Sequence, residues 1–109
     1  DPAPEAFLGT SGGGEVALID WGAACHGPLL YDLASAVMYA GPDVAPAYRE
    51  TGPLEGEELD HVDGFRAFRW AVQAIYFSGR IAANDLTGID DPSENEKGLD
   101  DARIGLRGL

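Results

Sequence analysis

Apolar positions fall into short runs near the start of this chain and into helical periods after residue 28. Val16-Ala17-Leu18-Ile19 is a run of four apolar residues and predicts a buried strand. Phe7-Leu8 is a second, shorter apolar stretch. Residues 10–15, Thr-Ser-Gly-Gly-Gly-Glu, join the two as a flexible turn, so an antiparallel hairpin over 7–19 is expected. From Pro28 the period changes. Leu30, Leu33, Ala34, Val37 and Met38 recur at helical spacing and predict a helix over 28–40, with Pro28 in its first turn and Gly41-Pro42 as its stop. These five residues are the candidate core of that helix, and Met38 is read as packing.

Prolines 42, 46 and 53 and glycines 52 and 56 make residues 42–58 an irregular segment, with a short helical piece near 44–49. The longest helix is predicted over 57–84, with Gly64 as a point of interruption. Leu59, Val62, Phe65, Phe68, Val72, Ile75, Tyr76 and Gly79 mark one apolar face of it, and Trp70, Ala74, Phe77 and Ile81 a second. A helix apolar on two faces is central to its domain, so these aromatics are expected in the core. Arg66, Arg69, Gln73 and Arg80 interrupt the faces, and arginines in such places are expected to pair with carboxylates. A final helix opens at Pro92-Ser93-Glu94-Asn95-Glu96, where Ser93 and Glu96 read as a capping box. Leu99, Ala102, Leu106 and Leu109 form its apolar stripe, and Gly98 and Gly105 read as weak points. The acidic stretch 85–91 reads as a solvated linker. The expected fold class is therefore α+β and mostly α: a short β-hairpin followed by a helical subdomain.

At 109 residues, 45% of them hydrophobic, the chain is one small domain or part of one, with enough apolar surface for a core. A net charge of −12 repels phosphate backbones, so nucleic acid is not an expected partner. The charge is spread along the chain and reads as a solvated surface, with attraction of a cationic small molecule as the alternative. The single cysteine, Cys25, excludes an internal disulfide and a multi-cysteine zinc site, and suits a reducing compartment such as the cytoplasm. No apolar run approaches membrane-spanning length and no signal peptide is visible, so no membrane association is expected. Cys25 and His26 are adjacent and poorly placed to act on each other as nucleophile and base. With His61 as the only other histidine, neither a Cys–His dyad nor a zinc set is expected, and His26 reads as a structural hydrogen-bonding group. Gly12-Gly13-Gly14 lacks the spaced glycines and the Gly-Lys-Ser/Thr ending of a phosphate loop.

The chemistry concentrates where the strand ends, at Asp20-Trp21-Gly22. A carboxylate on a rigid strand end, beside a glycine that lets other groups approach, suits a divalent cation. The alternative is an ordinary turn aspartate. Twelve residues on stands Gly27-Pro28-Leu29-Leu30-Tyr31-Asp32-Leu33-Ala34. Together, I-D-W-G and G-P-x-x-x-D-L-A closely resemble the phosphotransferase family of aminoglycoside kinases, choline kinases and homoserine-kinase-like enzymes, whose fold is related to that of protein kinases. The resemblance implies that Asp20 is the magnesium-binding aspartate of a D-F-G-like triplet, with Trp21 in the place of Phe. It implies that Asp32 braces the catalytic loop from the start of a helix. A purely structural alternative for Asp32 is interaction with the helix dipole.

The chain opens Asp1-Pro2-Ala3-Pro4-Glu5-Ala6-Phe7-Leu8, which resembles the end of the family's catalytic loop, H-G-D-x-x-x-x-N. The resemblance implies that Asp1 is the base that accepts the proton of the substrate hydroxyl. Pro4 fits a proline often found within that loop. The metal-binding Asn position is Ala6, which cannot bind a metal; its neighbour Glu5 is the candidate substitute.

The implied activity is ATP- and Mg²⁺-dependent transfer of the γ-phosphate to a hydroxyl of a small molecule. The family's members are longer and hold ATP on an N-terminal lobe. No Gly-rich strand-turn-strand and no strand lysine appear here, the only lysine being Lys97. Residues 1–109 are accordingly expected to be a C-terminal-lobe fragment, inactive alone, whose missing N-terminal lobe belongs to the same protein. Within it, 1–22 would hold the catalytic-loop end and metal-binding hairpin, and 27–109 the helical subdomain. The segments 42–58 and 85–91 and one of the arginines are candidates to border the acceptor. The alternative, motivated by Ala6, is a non-catalytic kinase-like protein that binds nucleotide or a partner. A free-standing helical interaction domain would require the motif match to be chance. The identity of the acceptor, and ATP against GTP, stay open.

Overall fold

The computed structural model describes residues 3–109. The fold is α+β and mostly α, as the periodicity predicts. A single 3₁₀ turn, Pro4–Ala6, leads into strands β1 (Phe7–Gly9) and β2 (Val16–Leu18). Helices α1 (Leu29–Ala40), α2 (Val44–Thr51), α3 (Gly56–Leu59), α4 (Val62–Ala83) and α5 (Ser93–Arg107) follow. The chain forms two compact units, one running up to Val62 and one over Asp63–Leu109.

In the first unit, β1 and β2 pair antiparallel in the register Phe7–Leu18, Leu8–Ala17 and Gly9–Val16. The turn is closed by the Thr10 N–H on the Glu15 carbonyl (3.3 Å) and the Gly13 N–H on the Thr10 carbonyl (3.1 Å). Gly13 sits at φ 75°, a conformation open to glycine at little steric cost. The strand over 16–19 is not buried as its apolar run suggests: Val16 is 73% and Ile19 44% exposed. Two strands alone have no second layer with which to cover their faces.

Helix α1 begins after Pro28, whose extended backbone makes it the N-cap, and ends at Gly41, which takes φ 95° and donates its N–H to the Val37 carbonyl at 2.9 Å. Leu30, Leu33, Ala34 and Val37 are buried as expected, joined by Ser35, while Met38 is half-buried. Each buried leucine or valine contributes roughly 2 kcal/mol. Helix α1 packs on α2, and α2 on α3. A capping box unforeseen in the sequence starts α3, in which the Glu55 N–H donates to Glu58 Oε2 at 3.0 Å.

The long helix expected over 57–84 is broken, but at 60–61 and not at Gly64. The His61 N–H bonds back only three residues, to Glu58 (3.2 Å), and this tight turn closes α3 around the buried Leu59. Gly64 stays helical within α4.

In the second unit, α4 presents Trp70, Ala74 and Phe77 half-buried. On its other predicted apolar face Phe68, Ile75 and Tyr76 are exposed while Val62, Phe65 and Val72 are half-buried, and Ile81, on the Trp70 face, is exposed too. The expectation that the aromatics of both faces lie in the core is therefore corrected at Phe68 and Tyr76, since α5 packs on the side of Trp70 and Phe77. The stripe predicted for α5 holds at Ala102, which is buried, and at Leu99, which is half-buried, but not at its C-terminal end. Asn95, Gly98 and Ala102 are buried, whereas Leu106 and Leu109 are exposed. A Cβ at Gly98 would overlap the Phe77 ring, and one at Gly105 the Trp70 indole. These glycines are thus packing residues that let two aromatics approach the helix backbone. The capping box at Ser93 does not form. Asp91 Oδ1 instead accepts the Ser93 N–H at 2.9 Å, and this bond holds the Asp91 carboxyl below its usual pKa range.

The 84–92 connection is fastened by Arg80. Its Nε donates to Asn95 Oδ1 (2.9 Å), Nη1 to the Tyr76 hydroxyl (2.9 Å) and Nη2 to the Thr87 carbonyl (2.6 Å). Asp85 accepts the Thr87 N–H at 2.8 Å and lies 3.9 Å from the guanidinium. Hydrogen bonding with Thr87 lowers the Asp85 pKa; partial desolvation opposes it, and the Arg80 charge adds a lesser lowering. The expected pairing of arginines with carboxylates is also met by Arg66 and Asp63 at 2.7 Å.

Candidate active site

Ala6, the last position of the implied catalytic loop, lies against the strand end that leads to Asp20. Pro4 sets the φ of the first position of the 3₁₀ turn, which closes with the Ala6 N–H on the Ala3 carbonyl at 2.9 Å. Ala6 is buried, and its carbonyl accepts the Ile19 N–H at 2.8 Å. That bond prolongs the β1–β2 ladder by one step. It joins the position where a metal-binding Asn would stand to the residue just before Asp20.

Asp20 then leaves the extended path. Its φ is 64°, in the left-handed region that aspartate visits more readily than most residues. The turn is closed on its far side by the Trp21 indole, whose Nε1–H donates to the Leu18 carbonyl at 2.8 Å, and the Ala24 N–H returns to the Trp21 carbonyl at 3.0 Å. Asp20 is exposed at the apex of this turn.

Asp32 lies in the first turn of α1, exposed, where the helix dipole favours a negative charge. Asp1 lies outside the described residues. Glu5 is exposed within the 3₁₀ turn, and Cys25 and His26 are exposed in the 19–28 segment. Among the described residues, no group of three His, Cys, Asp or Glu side chains is placed to hold a metal ion. One exposed carboxylate is a donor set for Mg²⁺, which keeps several waters and is commonly held by one or two carboxylates together with substrate phosphates. It is not a donor set for zinc.

The role of Trp21 is not apparent in the sequence, where it stands only as an aromatic in a triplet. Its hydrogen bond depends on a backbone turn that no spacing rule announces. Among the described residues, no helix is long and apolar enough to cross a membrane.

A family model described as "Phosphotransferase enzyme family" matches residues 1–70 of this chain. The match takes in the 3₁₀ turn, the hairpin, Asp20, Asp32 and the first part of α4. Neither the curated proteins nor the solved structures yield a match.

Proposed function

Since this chain belongs to the phosphotransferase enzyme family, we propose that it carries the metal-binding and catalytic-loop residues of an ATP- and Mg²⁺-dependent kinase of small-molecule hydroxyls. Asp20 would hold Mg²⁺, Asp1 would orient and deprotonate the acceptor hydroxyl, and Asp32 would brace the loop. Phosphoryl transfer asks for alignment and charge neutralisation more than for covalent chemistry, which is work that carboxylates can share. The ion supplies neutralisation of the charge on the transferring group. The chain's own contribution is to fix the carboxylate. The observation that carries this reading is the family match over residues 1–70, and the Ala6–Ile19 hydrogen bond of 2.8 Å supports it by tying Ala6 to the residue just before Asp20.

Asp20→Asn in the complete protein tests it. The expected result is loss of magnesium-dependent turnover by about a thousandfold or more, because an amide cannot supply the charge that the ion requires. Rates like those of the unaltered protein would refute it.

Ala6 favours a second reading, a kinase-like protein that binds nucleotide or a partner without transferring phosphate. Its methyl group is buried at a position where the family pattern has a metal ligand. Magnesium-dependent nucleotide binding with no transfer or hydrolysis, across a panel of amino alcohols and aminoglycosides, would select this second reading.

A further inference from the structure

We propose that Trp21 is a positioning residue for the metal site, acting through the hydrogen bond from its indole to Leu18 to hold Asp20 in its left-handed turn. This rests on the assignment of Asp20 as the magnesium ligand.

The geometry is a clamp with Asp20 between two fixed points. On one side, the Ile19 N–H is tied to Ala6 at 2.8 Å and Leu18 is paired with Phe7. On the other, the Trp21 indole returns to the Leu18 carbonyl at 2.8 Å. The clamped segment contains the one residue of the hairpin region other than glycine with positive φ, Asp20 at 64°. Left-handed backbone is disfavoured for residues with a Cβ and persists where neighbouring contacts over-determine it. The Trp21 ring is 64% exposed, so burial does not account for its position. The N–H to carbonyl bond does, and its consequence is local: it fixes the direction in which Asp20 leaves the strand. A carboxylate already aimed loses less rotational freedom when it takes up a cation.

Trp21→Phe keeps an aromatic ring and removes the donor. In the complete protein, calorimetric titration with Mg²⁺ and a non-hydrolysable ATP analogue is expected to show metal-dependent affinity about fivefold weaker in Trp21→Phe than in the unaltered protein. Asp20→Asn should show almost no metal-dependent binding. Unchanged affinity in Trp21→Phe, with Asp20→Asn impaired, overturns the clamp and leaves the assignment of Asp20 standing. Unchanged affinity in Asp20→Asn overturns the assignment and the clamp's role with it.

A second measurement needs no stably folded variant. The indole N–H of Trp21 in the unaltered protein should exchange with solvent about tenfold more slowly than a free indole, despite its exposed ring. It should also shift in the NMR spectrum when Mg²⁺ and the analogue are added. Exchange at the free rate overturns the proposal even if Trp21→Phe fails to fold.

Discussion

Two glycines on adjacent helices should respond to the same substitution with opposite signs. Gly79 lies in α4 with nothing within 4 Å of the place a Cβ would occupy. Gly105 lies in α5, where a Cβ would overlap the fused bond of the Trp70 indole. Replacing an interior helical glycine by alanine is worth about 0.5–1 kcal/mol through reduced chain entropy and better propensity. Gly79→Ala should therefore stabilise by about that amount. Gly105→Ala gains the same term and loses about 1–3 kcal/mol to overpacking, because a half-buried indole has no flexible end that can swing aside. The propensity term is common to both, so the difference between the variants, about 1–3 kcal/mol, isolates the ring overlap. With a urea dependence of about 1.5 kcal/mol per molar, the midpoints should differ by roughly 0.7–2 M in urea melts followed by far-ultraviolet circular dichroism. Equal midpoints, or a Gly105→Ala variant more stable than Gly79→Ala, would refute the close approach of α5 to Trp70.

Arg80→Lys keeps the charge but not the planar fork, and should cost about 2–3 kcal/mol in the same melts, since hydrogen bonds to Asn95, Tyr76 and Thr87 depend on separate guanidinium nitrogens. A loss below about 0.5 kcal/mol would show that the 84–92 connection is held by other contacts. Asp91→Ala should destabilise the start of α5 at neutral pH. The Asp91 pKa is lowered by its bond to Ser93, so its contribution is present above the unfolded carboxylate value of about 3.9 and fades as pH falls through the lower folded value. The gap between Asp91→Ala and the unaltered protein should accordingly shrink between about pH 5 and pH 2; a gap that widens on acidification contradicts the assigned bond. Leu33→Ala, which removes a residue only 4% exposed in α1, should cost about 2–4 kcal/mol in thermal or urea melts.

What was legible in the sequence was whatever depends on neighbours along the chain. The hairpin, its glycine-rich turn, the α1 core residues Leu30, Leu33, Ala34 and Val37, and the stop at Gly41 all follow from local period and punctuation. What was not legible depends on which surface meets which. Gly98 and Gly105 look like flaws in a helix until Phe77 and Trp70 are seen against them. Phe68 and Ile75 look like core until α5 is seen to cover the opposite side of α4. The site divides in the same way. Asp20 and Asp32 stand out as residue types at a spacing, and the family match over residues 1–70 rests on that level of information. The left-handed turn at Asp20 and the indole bond that closes it are backbone events with no signature of their own. On the proposed assignment of Asp20, aiming its carboxylate would fall to the 3₁₀ turn before the hairpin and the tryptophan after it. Under that assignment, Trp21→Phe is expected to weaken magnesium-dependent affinity in calorimetric titration while leaving every motif aspartate in place.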